Sequence, residues 1–313
     1  MSEKLAIHGG SPVRNVLLPY GRQQIDEEDI AAVIEALQSD WLTTGPGVQE
    51  FEQAFAQFIG VDHAVAVSSG TAALHAAVYA IDLQPGDEVI LTPMTFVATA
   101  NCVVYQGGVP CFADVEPDTL LIDPDSVKAQ ITNRTRAIIA VDYAGQPCAW
   151  DELCAIADEH GLYLIDDACH AVGATYKNRN VGTLADLNTF SLHPVKHFTT
   201  GEGGIITTQD AELASRMRIF RNHGITSDHH QRARSGSFHY DMIDLGYNYR
   251  ITDFQCALGI SQLKKLPGFI QQRQQLAAMY DHAFASLDYV RPLALRPEAT
   301  HSYHLYVVQF DTS

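Results

Sequence analysis

Between about residue 50 and about residue 220, short apolar runs alternate with longer amphipathic ones, and that alternation leaves the chain few architectures. His63–Val67 reads as a strand and Ala72–Ile81 as a helix; Glu88–Leu91, entered through the turn Pro85-Gly86-Asp87, is a strand again. A helix over Phe96–Tyr105, a strand over Val109–Ala113, a helix over Pro124–Ile131 and a strand over Arg136–Val141 follow. Trp150–His160 is a helix closed by Gly161, which lacks the Cβ that penalises the left-handed residue ending many helices. Leu162–Ile165, Asn188–Leu192 and Gly204–Thr208 are strands, with a further helix over Asp210–Phe220. Strands linked through helices run parallel, so the pattern predicts a mostly parallel sheet with helices on both faces.

After Asn222 the period disappears. Residues 223–246 are polar and rich in His and Gly, the signature of a long functional loop. Helix resumes behind Thr252, a side chain suited to capping, and runs to Leu263; a second helix covers Phe269–Leu287. His304–Phe310 reads as a strand that opens a small domain which the chain then breaks off, so a truncated fragment is expected.

Twenty basic against thirty-seven acidic residues give a formal charge of −17. That excludes a broadly basic surface for nucleic acid or an anionic membrane and confines any anion site to backbone N–H groups and a few placed side chains. The first residues carry no apolar signal-peptide core, no apolar run is long enough to span a bilayer, and the six cysteines show no paired spacing. A reduced, cytoplasmic chain is expected.

Three segments carry chemistry. Ser68-Ser69-Gly70-Thr71-Ala72-Ala73-Leu74 lies between a strand and a helix, where free N–H groups and the positive end of the helix dipole suit a phosphate. It also reads as an ordinary capped turn. Asp166-Asp167 ends a buried strand ahead of Ala168-Cys169-His170, at the edge where open parallel sheets bind ligands. Such carboxylates can hold a protonated ring nitrogen or a metal, or merely cap and be solvated. Lys196 follows an apolar strand and precedes Gly201-Glu202-Gly203-Gly204. A desolvated lysine there is a nucleophilic amine; an exposed one is a solvated loop residue. Together, a phosphate cradle, a strand-end Asp and a following Lys supply the parts that hold pyridoxal phosphate (PLP).

With Leu42-Thr43-Thr44-Gly45-Pro46, Thr92-Pro93-Met94-Thr95-Phe96-Val97-Ala98-Thr99, Phe190-Ser191-Leu192-His193-Pro194-Val195-Lys196 and Leu245-Gly246-Tyr247-Asn248-Tyr249-Arg250 in the same order, the chain resembles the DegT/DnrJ/StrS-type sugar aminotransferases. These are fold type I PLP enzymes, and the pattern is most similar to those of pseudaminic acid biosynthesis. The resemblance implies an α/β fold with a mostly parallel, seven-stranded-type sheet. It implies an N-terminal arm over residues 1–20, a large PLP-binding domain over 21–262, and the start of a smaller α/β domain over 263–313.

It also implies roles. Lys196 is the Schiff-base lysine and proton carrier, and Asp167 pairs with the pyridine nitrogen. Phe96 covers the cofactor ring, His170 faces its phenolic oxygen, and Gly70, Thr71, Ala72 and Ser191 hold its phosphate. Asn248 reaches the phosphate of a neighbouring subunit, which makes a homodimer with shared sites. By the same analogy Tyr20, Thr44, Gly45 and His197 lie near the sugar nucleotide. Leu192 stands where the family more often has Phe. The implied reaction is ping-pong transfer of an amino group from L-glutamate to a UDP-linked ketosugar, UDP-4-keto-6-deoxy-N-acetyl-β-L-altrosamine. The alternatives are a family member acting at C3 or on a dTDP or GDP sugar, a PLP-binding protein without catalysis, or a metal-dependent hydrolase using Asp166, Asp167 and His170.

Overall fold

The computed structural model describes residues 4–19, 21–226, 236 and 239–311. After helices α1 (Glu27–Gln38) and α2 (Pro46–Ile59), strand and helix alternate. The series is β1 (His63–Val67), α3 (Gly70–Ala80), β2 (Glu88–Leu91), α4 (Ala98–Tyr105), β3 (Val109–Phe112), α5 (Pro124–Gln130), β4 (Thr135–Val141), α6 (Trp150–His160) and β5 (Tyr163–Asp167). A small hairpin, β6 (Thr175–Tyr176) and β7 (Arg179–Asn180), precedes β8 (Leu187–Ser191), β9 (Gly204–Thr208) and α7 (Ala211–Phe220). The long α8 (Asp253–Phe284) leads to β10 (Val290–Pro292) and β11 (Val308–Phe310).

Seven strands form one sheet in the order β1-β9-β8-β5-β4-β2-β3, and only β9 runs against the rest. The expected mostly parallel sheet is what forms. Side chains alternate across it. Val65, Val67, Val89, Leu91, Ile139 and Ile165 pack on one face with α3, α4 and α7, while Ala66, Ile90, Ile138, Ala140 and Leu164 pack on the other with α2 and α6. The same alternation sends Asp167 to the α4 side and its neighbour Asp166 to the opposite one.

Register gathers the carboxyl ends of several strands at one edge. Val141 pairs with Asp167, Asp167 with Thr189, and Gly204 with both Ser191 and Val67. Close approach there depends on glycine. A Cβ on Gly204 would lie 2.2 Å from the Ser69 carbonyl oxygen, and one on Gly70 would lie 2.8 Å from Ser191 Cβ.

Three expectations for local structure change. The helix expected from Phe96 begins at Ala98, leaving Phe96 in the preceding loop with 70% of its surface exposed. The two helices expected either side of Pro267 are one, with the proline inside it. Leu263, Leu266, Ile270 and Ala277 keep a buried stripe through the break, and that burial outweighs the roughly 3 kcal/mol that an interior proline costs. The last expected strand shortens to Val308–Phe310, because Ser302 N donates to Gly145 O at 2.9 Å and Leu305 N to Ala144 O at 3.1 Å, which draws residues 301–305 onto the large sheet's edge.

Helix α8 is capped by Thr252, whose hydroxyl accepts from Gln255 N. It is tied to α1 through Asp29, which accepts from Ser261 and Gln262, each at 2.6 Å, and pairs with Lys265 at 2.9 Å. Among the described residues no helix is long and apolar enough to cross a membrane.

Candidate active site

The carboxyl edge of the sheet opens onto a cavity of about 590 Å³. Gly70, Thr71, Phe96, Asp167, His170, Ser191 and Lys196 all line it. These seven residues come from four separate segments of the chain, and the fold brings them to one place.

At one wall β1 ends and α3 begins. Ser69 caps the helix by accepting from Ala72 N at 3.1 Å. Gly70 and Thr71 face the cavity. Ala72 does not: its N–H is taken by Ser69, and the residue is buried. The helix therefore offers the N–H groups of its first residues together with the Thr71 and Ser191 hydroxyls, a donor set suited to a phosphate.

Asp167 closes β5 on the α4 side. Thr99 donates its hydroxyl to Asp167 Oδ2 at 2.7 Å, and Thr95 lies 2.7 Å from the Thr99 hydroxyl. Cys169 N approaches Asp167 Oδ1 at 3.3 Å. A carboxylate accepts only, so Thr99 donates to Asp167 and Thr95 donates to Thr99, which sets the direction of the chain. The sequence reading passed over Thr95 and Thr99. Their spacing of one helical turn is visible in the sequence, but the contact across to β5 needs the fold.

Asp166 points the other way. Both its carboxylate oxygens are buried without a hydrogen-bond partner, and so is Asp142 Oδ2. Asp142 Oδ1 accepts from Cys148 N at 2.8 Å and Trp150 Nε1 at 3.2 Å. Burial first, then mutual repulsion, pushes Asp166 well above the ordinary carboxylate range, and burial also raises Asp142. Asp166, Asp167 and His170 thus do not converge as metal ligands. Among the described residues no group of three or more His, Cys, Asp or Glu could hold a metal ion.

Lys196 sits on the turn after β8, with its N–H donating to His193 O at 2.9 Å. The two residues after it are anchors. Phe198 is buried against Phe55, and His197 is buried with Nε2 3.1 Å from Ser302 O. The carbonyl oxygen can only accept, so His197 carries its proton on Nε2. His197 accordingly lies behind the cavity wall. Thr44 and Gly45 do not line the cavity either; Gly45 N donates to Asp253 Oδ2 at 2.8 Å at the start of α2. Asn248 is exposed, does not line this chain's own cavity, and pairs in a short bridge with Asn222. Tyr20 lies outside the described residues.

His170 is held neutral: burial, then the neighbouring Lys196 ammonium, pushes it down to about 3. Burial pushes the Cys169 thiol far up, so it is no nucleophile at neutral pH.

The amine, the carboxylate, the capped helix start and the exposed Phe96 that line this cavity together supply the groups that PLP requires. The family profile of the DegT/DnrJ/EryC1/StrS aminotransferases spans residues 23–313. The chain belongs to that family. A relative, the spore coat polysaccharide biosynthesis protein SpsC of Bacillus subtilis, is 43% identical over 299 residues, which is 95% of this chain and 77% of that protein. Spr1654 of Streptococcus pneumoniae, solved in PMP and PLP forms, has in the PMP form a TM-score of 0.90 at 31% identity, over 95% of this chain and 80% of that one. Helicobacter pylori PseC, an aminotransferase of pseudaminic acid biosynthesis, gives 0.87 at 36% identity, over 94% and 78%. As a DegT/DnrJ/EryC1/StrS aminotransferase the chain is a sugar aminotransferase whose cofactor is PLP, and the residues around its cavity fit that group.

Proposed function

We propose that the chain transfers an amino group from L-glutamate to C4 of a UDP-linked 4-keto-6-deoxy sugar, UDP-4-keto-6-deoxy-N-acetyl-β-L-altrosamine. The observation that carries this reading is the convergence of Lys196, Asp167, Gly70, Thr71 and Ser191 on one cavity. The similarity to PseC supports the choice of sugar. When bound, PLP supplies an aldehyde that takes up an amine and a ring that withdraws the electron pair left at the reacting carbon.

The chain's own residues do the rest. Lys196 Nζ holds the cofactor at rest and moves the proton as base and then acid. Asp167, held by the Thr99 hydroxyl, pairs with the pyridine nitrogen. The Gly70 and Thr71 N–H groups and the Thr71 and Ser191 hydroxyls bind the phosphate. Phe96 covers the ring and excludes water. Asn248, exposed and outside its own cavity's lining, reaches the phosphate of a second copy, so the active unit is a homodimer with shared sites. Thr44 and Gly45 belong to the sugar-nucleotide region of that shared cleft.

The test is an absorbance spectrum of the purified chain with PLP, before and after L-glutamate, for wild type and Lys196→Ala. The expected result is a visible-to-near-ultraviolet band that needs Lys196 and is lost on adding glutamate. A folded wild type without such a band, or a band that Lys196→Ala retains, overturns the reading. Product NMR with UDP, dTDP and GDP ketosugars then tests the substrate. Amination of the UDP sugar at C4 is expected; preference for another sugar or for C3 overturns that assignment and leaves aminotransfer standing.

A further inference from the structure

At the cavity wall three imidazoles from distant parts of the chain come together, His170 lining the cavity, His197 buried behind it and His304 partly buried. His170 follows β5, His197 follows Lys196, and His304 comes from the segment that precedes β11. The ring centroids of His170 and His304 are 4.4 Å apart with planes inclined by 34°, and those of His197 and His304 are 5.8 Å apart. Nδ1 of all three is buried without a hydrogen-bond partner. Tyr143 is a further ring neighbour of His170, at 6.1 Å.

The segment carrying His304 is fastened on both sides. Ser302 is fully buried, donates through its N–H to Gly145 O at 2.9 Å, and donates through its hydroxyl to His170 O at 3.1 Å. Arg273 Nη1 on α8 donates to Tyr303 O at 3.0 Å. Gly145 permits this approach: a Cβ there would lie 2.9 Å from His170 O and 2.8 Å from Tyr303 N. Backbone and ring of His170 are therefore both in contact with residues 302–304.

The titratable and charged groups around His304 are His170, Lys196, His197 and Arg273. Burial, then these neighbours, pushes its imidazole far below the ordinary histidine range. Two neutral rings can pack together where two imidazolium rings would repel. His170 lines the cavity and has no hydrogen bond to orient its buried nitrogen, so ring packing is what remains to orient it.

We infer that His304 is a positioning residue, whose ring packed on His170 sets the orientation His170 presents to the cofactor beside Lys196. This rests on the PLP reading above. His304 touches neither cofactor nor substrate by this account; it acts through His170.

The test uses the PLP-loaded chain and three readouts: thermal midpoint, the pH midpoint of the Lys196-dependent absorbance, and the rate at which glutamate bleaches it. His304→Ala is expected to shift the pH midpoint by about half a unit or more and to slow the glutamate reaction about tenfold, since small misplacements of a positioned group cost rate steeply. His304→Phe keeps a ring in place and is expected to restore both. Should His304→Ala not fold, His304→Leu fills the space without a ring and carries the same expectation. In a His170→Gln background, changing His304 to Ala should add no further shift. Variants that lose only thermal stability, with midpoint and rate unchanged, overturn the inference and leave His304 as packing. A shift as large in His304→Phe as in His304→Ala overturns it too. Absence of a Lys196-dependent band in the wild type overturns the PLP reading and this inference with it.

Discussion

Thr99 donates its hydroxyl to Asp167 across 2.7 Å, and Thr95 stands behind it at the same distance from Thr99. A hydrogen bond to an ionised carboxylate contributes about 1.5–3 kcal/mol. Thr99→Val keeps the shape of the buried side chain and removes that donor. PLP affinity is expected to fall about tenfold, read by fluorescence titration, with little change in the far-ultraviolet circular dichroism.

Gly70→Ala separates cofactor binding from stability. The added methyl meets Ser191 Cβ at 2.8 Å and Ser191 Oγ at 3.1 Å, so it pushes apart Ser191 and the start of the helix, the two sides of the proposed phosphate site. Alanine is otherwise favoured over glycine in a helix by up to about 1 kcal/mol, which offsets part of the clash. The thermal midpoint of the cofactor-free chain should move little, while PLP binding weakens about tenfold or more.

The buried pair Asp142 and Asp166 gives stability a pH dependence on the alkaline side. Both carboxyls are raised in the folded chain by burial. Above the unfolded carboxylate range the folded state holds a proton that the unfolded state has released, so stability falls as pH rises through the raised values. Asp166→Asn carries no such proton. Its thermal midpoint should exceed that of wild type at pH 8, with the gap closing toward pH 4; a gap that is constant with pH would remove the explanation.

Histidines set the acid side. Burial pushes His75 and His301 each down to about 4. Between the ordinary value of 6.5 and these lowered ones the unfolded chain takes up protons that the folded chain refuses, so stability present above 6.5 is lost as pH falls toward 4. Over pH 7 to pH 4 this fall opposes the rise that Asp142 and Asp166 contribute, so it is read from denaturant midpoints as the difference between wild type and a histidine variant. His75→Phe should flatten part of that fall, although it also removes the bonds to Tyr249 at 3.0 Å and Gln106 at 2.8 Å.

Pro267 sits exposed within α8. Pro267→Ala restores an N–H and removes the ring, and should raise the thermal midpoint by the equivalent of about 1–3 kcal/mol.

The sequence carried the sheet because period-two and period-three-to-four patterns were clean from His63 to Phe220. It carried Gly70, Thr71, Asp167 and Lys196 because they lie next to strand ends or a helix start, places that a linear reading can locate; Phe96, His170 and Ser191 came through the family resemblance. What stayed hidden depends on which elements touch. Nothing near Thr99 in the chain points to Asp167, and nothing near His304 points to His170. Asp166 and Asp167 look equivalent as adjacent letters, and only the pleat gives them opposite surroundings. The continuous α8 was obscured by a local signal, Pro267-Gly268, that tertiary burial overrides.

The position of β9 between β8 and β1 has a consequence for synthesis. β1 enters the sheet through β9 alone, in the pairing of Val67 with Gly204. A growing chain therefore makes the start of α3 early and must leave its first strand unpaired until nearly the whole sheet has been translated. The anion-binding end of that helix is assembled late, when the residues around Gly204 emerge. Ligand capture during synthesis would report the arrival of β9, not of α3.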